Sequence, residues 1–298
     1  MNMNNTPMKI TKKITGPLLA SYLLFVGLGM AVAQEPPPPP KVLGVFREFV
    51  KPGKSGSVHE KSESAFVQAM ARAKWPTHYL AVTAITGKPR VLFLTGYDSF
   101  AAWEKDVLAT QANATLSAAV DKATVADGEL LSDTDTTALV YSEEYSLRSA
   151  VDIPHMRYFE ISLYRVKPGH EADWDTIVKM VKAAYEKIPD VKWAVYHAAY
   201  GQEGDTYIVF TPMKSAAEVD KGFDQDKQFV ANMGEDGMKK FSELLAGAIE
   251  TSQHNLFVFS PSMSYVSDEW IKADPDFWKP KTHAAAPRKA EEKPATAQ

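Results

Sequence analysis

Tyr158-Phe159-Glu160-Ile161-Ser162-Leu163-Tyr164-Arg165-Val166-Lys167-Pro168-Gly169 decides the fold. Phe159, Ile161 and Leu163 fall on one face and Tyr158, Glu160, Ser162 and Tyr164 on the other. That period of two predicts a half-buried strand. Lys167-Pro168-Gly169 then turns the chain, with Pro168 removing a ladder donor. The stretch has an earlier echo. Phe49-Val50-Lys51-Pro52-Gly53 precedes Arg165-Val166-Lys167-Pro168-Gly169 by 116 positions, and Val91-Leu92-Phe93-Leu94-Thr95 precedes Tyr207-Ile208-Val209-Phe210-Thr211 by the same offset. Ordered echoes in separate segments predict two copies of one structural unit.

In the second copy, Trp174, Ile177, Val178, Val181, Ala184, Tyr185 and Ile188 recur at helical spacing over 172–188. Strands are expected at 191–200 and 206–211, around the turn Gly201-Gln202-Glu203-Gly204-Asp205. A glycine-broken helix with Ser215 as N-cap runs to about Glu250, and a last strand covers 256–260. The order is β-α-β-β-α-β, a ferredoxin-like unit of class α+β. The first copy reads alike. It has strands at 42–50, 78–87, 90–97 and 138–142, a helix over 59–74, and a second helix capped by Ser99. Phe66, Val67 and Met70 match Ile177, Val178 and Val181 at an offset of 111, five residues of extra loop accounting for the difference. Each unit would expose an apolar sheet face. Two such faces packed together, helices outside, predict a pseudo-symmetric α/β barrel within one chain.

The ends carry different signals. Lys9, Lys12 and Lys13 precede an apolar run from Ile14 to about Met30, followed by Ala31-Val32-Ala33. This reads as a signal peptide over 1–33, hence a periplasmic or secreted protein with no membrane span after cleavage. Residues 34–40 form a proline-rich spacer, 41–150 repeat 1, 151–270 repeat 2, and 271–298 an extension ending in a disordered tail. The chain has no cysteine, which excludes disulfides and thiolate chemistry. Removing three lysines and no acid takes the formal charge from −4 to −7, against a nucleic-acid partner.

With these residues in view, the strand-turn-helix opening of the second copy resembles that of NIPSNAP-like proteins of the dimeric α/β-barrel superfamily. The superfamily includes antibiotic-biosynthesis-type monooxygenases and chlorite dismutase-like haem proteins. The resemblance implies the barrel, from about 41 to 270, and brings no catalytic signature.

His197, between the modest Val195 and Ala199 on its strand face, is a candidate base or haem ligand. Glu160, a charge in mid-strand, is a candidate acid or base, with Glu48 its weaker parallel. Tyr158, Tyr164, Trp193 and Tyr196 are candidates to line an apolar or aromatic pocket. His59-Glu60 and His170-Glu171 each open the first helix of a copy, where the helix dipole accounts for the acid; no second histidine follows at i+3 or i+4 to make a metal set. The reading is an exported barrel, an intrachain pseudo-dimer open to homo-oligomer formation, that binds a small apolar or aromatic molecule in a barrel pocket. The first alternative is a cofactor-independent monooxygenase or isomerase using His197 and Glu160. The second is a haem-binding barrel. No cofactor or metal is expected beyond that haem alternative, and copy two is the expected home of the site.

Overall fold

The computed structural model describes residues 35–279. The signal-peptide reading of 1–33 and the disordered tail from about His283 lie outside them. The first strand, β1 (Val42–Val50), leads into α1 (Ser57–Ala73), then β2 (Tyr79–Ala84) and β3 (Arg90–Tyr97). Two helices follow, α2 (Phe100–Ala112) and α3 (Ala114–Gly128), and then the long β4 (Leu131–Leu147). After a short 3-10 turn at Ile153–His155 come β5 (Tyr158–Val166), α4 (Glu171–Tyr185), β6 (Trp193–Tyr200) and β7 (Asp205–Met213). The chain continues with α5 (Ala217–Ala248), β8 (Ile249–Phe259), α6 (Asp268–Ala273) and α7 (Pro275–Trp278).

The eight strands form one closed antiparallel barrel in the order β1-β3-β2-β8-β5-β7-β6-β4. The two sheets therefore do not simply lie face to face, as the sequence had suggested. They join edge to edge at two seams. At one, Val82 to Ala84 of β2 pair with Phe259 to Phe257 of β8. At the other, Ala138 to Leu147 of β4 pair with Tyr200 to Trp193 of β6. Closure removes the exposed edges that an open sheet would leave. The added length of β4 beyond the expected strand makes the second join possible, since residues 131–140 pair with β1 and 138–147 run along β6.

Alternation settles which side chains fill the barrel. Leu43 and Val45, Leu80 and Val82, Leu92 and Leu94, Phe159 and Ile161, Ile208 and Phe210, Phe257 and Phe259 form one buried cluster inside. An eight-stranded barrel is just wide enough for side chains to fill. One mouth retains a space of about 60 Å³ bordered by Arg47, Arg90, Asp135, Gln202 and Asn255. That is room for about two waters, not for the barrel pocket expected from sequence. The interior cluster extends to α6 and α7: Trp278 is buried in it, and its indole donates to the Pro154 carbonyl at 2.8 Å.

Local chemistry explains the boundaries. The Ser99 hydroxyl accepts from the Ala102 amide and caps α2, as its position predicts. Asn113 breaks what had looked like one helix and caps α3 through Leu116 N–H at 3.1 Å. Ser215 does not cap α5. That helix starts after Ala216 with no side-chain cap, while Glu218 accepts the Lys214 amide instead. Gly234, at φ 69°, kinks α5 where the glycines of the sequence had suggested a break. Of the proline spacer, Pro40 sits on the barrel: its carbonyl accepts from the Tyr196 hydroxyl, and a Cβ on Gly96 would meet its ring at 2.9 Å. None of the described helices is long and apolar enough to cross a membrane.

Candidate functional site

Glu48 alternates onto the outer face of β1, toward the helices, with Phe46. His59, Glu63, Phe66 and Met70 recur along α1 at the spacing of one helical stripe. Asp127 closes the third side from the last turn of α3. Beneath these helices, over β1, β3 and the start of β4, lies a cavity of about 570 Å³. Its apolar walls are Phe46, Phe66, Met70, Tyr79 and Phe93, and its acidic floor is Glu48, Glu63 and Asp127. The rim at Ser132, Asp133 and Thr134 is exposed, so the cavity meets solvent there.

The floor is a buried ionic cluster. His59 Nε2 lies 3.0 Å from Glu48 Oε2, 3.6 Å from Asp127 Oδ1 and 3.7 Å from Glu63 Oε1. All four residues are at most 4 % exposed. Glu63 Oε1 and both Asp127 carboxylate oxygens have no hydrogen-bond partner. Burial first, then the charges of Glu48 and Asp127, push the Glu63 carboxyl up to about 9. Burial also raises Glu48, against the lowering effect of its bond to His59. Burial disfavours a charge on His59, yet the Asp127 and Glu48 carboxylates outweigh it and hold the imidazole up at about 10. Near neutral pH the floor thus pairs an uncharged carboxylic acid with a charged imidazole.

The sequence candidates lie elsewhere. His197 faces the outer layer of the second half, 43 % exposed, with Nε2 2.5 Å from Asp205 Oδ1 and its ring 4.8 Å from that of Tyr207. Glu160 faces the same layer, 45 % exposed, 3.3 Å from the Ser162 hydroxyl and 4.0 Å from His254. On β7 their register partners are Tyr207 and Thr211, a separation of about 13 Å along the strand. The two are not brought together. Tyr158, Tyr164 and Trp193 belong to the outer face, whereas Tyr196 points into the barrel against Phe210. None of the six lines the 570 Å³ cavity or the barrel-mouth space.

The cavity and its cluster belong to the first half of the chain, not the second. In the second half, Tyr164 stands 116 positions after Glu48 and Trp174 stands 111 after Glu63. Their rings pack at 5.4 Å and Trp174 stacks on Tyr207 at 4.8 Å, so that layer is filled. His170, the counterpart of His59, pairs with Asp173 at the helix surface. The readable signal was Glu63 at i+4 from His59.

Haem calls for an axial ligand facing an open pocket. His59 lies beneath the cavity floor with its Nε2 held against Glu48, and His197 Nε2 is engaged by Asp205, so neither presents that nitrogen to an open pocket. These residues do not fit a histidine-ligated haem.

No protein-family profile matches the chain, and no curated protein matches it by sequence. Among solved structures it is similar in outline to an anthrone oxidase-like protein, at 12% identity and TM-score 0.49, over 76% of this chain and 94% of that one. A monooxygenase candidate from Fusobacterium nucleatum gives 12% identity and TM-score 0.47, over 74% and 93%. A chlorite dismutase variant from Candidatus Nitrospira defluvii gives 11% and 0.46, over 78% and 95%.

Proposed function

We propose that the protein binds a small apolar or aromatic molecule in the cavity between the first-half sheet and helices α1 and α3. One observation carries this reading: a 570 Å³ space with aromatic walls and a few convergent polar groups at one end. Ligand pockets have this size and lining. The test is a fluorescence titration of the full chain with the neutral apolar dye N-phenyl-1-naphthylamine. Saturable binding is expected, weakened at least about tenfold by Met70→Trp, which narrows the cavity with a bulkier wall (~1.4 kcal/mol). Binding that ignores this substitution, or no binding at all, overturns the reading.

A second reading rests on the neutral Glu63 beside charged His59. Such a pair suits proton transfer at an enolisable carbon, as in a cofactor-independent oxygenase or isomerase. Deuterium exchange into an aromatic ketone, followed by NMR, would show it. Loss of exchange in Glu63→Gln is the expected result; no exchange above solvent background rejects catalysis of this kind.

The wider identity belongs to the same proposal. The 116-residue repeat supports two ferredoxin-like units, 41–150 and 151–270, fused in one chain with an extension at 271–298. The opening of β5 supports a NIPSNAP-like relationship, and the lysine-led apolar run supports export to the periplasm or outside the cell.

A further inference from the structure

We infer that Glu48, His59, Glu63 and Asp127 bind one divalent first-row transition-metal ion at the floor of the cavity. The inference deepens the binding reading, because the ion would lie beside whatever the cavity holds.

Geometry is the first support. One donor atom from each of the four residues lies within 4.8 Å of the other three. Ligands about 2.1 Å from a shared ion stand roughly 3.0 Å apart when cis-octahedral and roughly 3.4 Å apart when tetrahedral. His59 Nε2 is 3.0, 3.6 and 3.7 Å from the three carboxylate oxygens, so the imidazole already stands near those spacings from each of them, and small side-chain shifts would draw the carboxylates together.

Unmet hydrogen-bonding capacity is the second, independent support. Glu63 Oε1, Asp127 Oδ1 and Asp127 Oδ2 are buried and accept from nothing. Glu63 and Asp127 side chains are 3 % and 2 % exposed. The Nε2 N–H of His59 goes to Glu48 at 3.0 Å, and a proton shared between Glu63 and Asp127 would join two of these three oxygens, leaving the third without a partner. Buried polar atoms without partners are uncommon, and an absent ion is one of their ordinary explanations.

The fold does not require this arrangement. Tyr164 and Trp174 occupy the corresponding positions of the second half and pack it with rings. Three carboxylates buried around an imidazole are costly by comparison. Access is open, since Glu48, Glu63 and Asp127 all border the cavity. Three oxygens and one imidazole nitrogen suit Mn(II), Fe(II) or Zn(II), whereas Mg(II) and Ca(II) favour all-oxygen sites.

The experiment is equilibrium dialysis of chelator-stripped full chain against Mn(II) and, separately, Zn(II), with the bound metal counted and the Mn(II) spectrum followed by electron paramagnetic resonance. One ion per chain is expected. Glu63→Gln and Asp127→Asn should each weaken binding by more than about 100-fold, beyond the loss typical of an outer-shell partner. Glu63→Gln replaces a carboxyl by an amide of the same shape, so it keeps the test valid should Asp127→Asn fail to fold. No retained ion, or binding indifferent to both substitutions, overturns the inference. Dye titration on the same samples separates the two claims. Dye bound without metal rejects the metal site alone; metal bound without dye rejects the cavity reading alone.

Discussion

Glu63 sets the acid–base behaviour of the metal-free protein. Its carboxyl sits at about 9 in the fold against an ordinary 4.5, and His59 at about 10 against 6.5. In both cases the folded state holds the proton more tightly than the unfolded chain. The stabilisation is fully present below the unfolded values and is lost as pH rises toward the folded ones. Chelator-treated protein should therefore melt at progressively lower temperature from pH 5 to pH 9, by about 1.4 kcal/mol per pH unit for each such proton. Glu63→Gln should flatten that slope, and an unchanged melting profile would refute the assignment. His59→Leu, which strands the carboxylates without their cation, should cost about 3–5 kcal/mol. His197→Ala is expected to do little. Its pair with Asp205 is half exposed, and such pairs contribute under about 1 kcal/mol; dye binding should be unchanged. At this scale the sequence was least legible. His59 and Glu48 both stand out in the sequence, but Glu60, the acid beside His59 in the first turn of α1, has a sufficient explanation in the helix dipole. Only the three-dimensional approach of α3 brings Asp127 to them.

Helices and strands were far more legible, because their signals are local. The alternation of Phe159, Ile161 and Leu163 places β5 with its apolar face inward, and β1 and β3 begin and end where the sequence predicts. Elements whose ends depend on distant partners were harder. The 17 residues of β4 make sense only when β1 holds the first part and β6 the rest. Helices α6 and α7 are too short to show periodicity, and their order comes from tertiary contacts: Arg157 binds Asp274 and lies 3.8 Å over the Phe277 ring. Trp278→Ala should cost about 3–5 kcal/mol, as for other large buried aromatics, read as a fall in denaturation midpoint. Asp274 gives a pH signature of the opposite sign to the cluster. The Arg157 guanidinium holds its carboxyl below the ordinary aspartate value of 3.8. That stabilisation is present above 3.8 and lost as pH falls through the depressed value. Asp274→Asn should thus lower the melting temperature at pH 7 and cease to matter in strong acid.

For the whole molecule, closure depends on two seams of unequal length. The β2–β8 seam is short, but the chain beyond it lengthens the join. Ser260 N–H donates to the Ala81 carbonyl, the Ala81 amide donates to the Ser264 hydroxyl, and Tyr79 pairs with Tyr265. Hydrogen exchange should find the β2 and β8 amides at this seam opening before those of β5 and β7, whose pairing runs the length of both strands. Equal protection throughout would mean that the barrel opens only by global unfolding. The repeat made a barrel foreseeable; edge-to-edge joining was not, because a strand's apolar pattern reports which face is buried and not which neighbour it pairs with.

A barrel built from two identical chains would impose every substitution on both sides of its axis. This barrel closes within one polypeptide, so the partner halves are free to specialise. Tyr164 and Trp174 make one side a buttress, while the side that holds Glu48 and Glu63 stays hollow. Genetic lesions should divide accordingly: damage to the solid side would be felt as lost protein, and damage to the hollow side as lost competence in a protein that still accumulates.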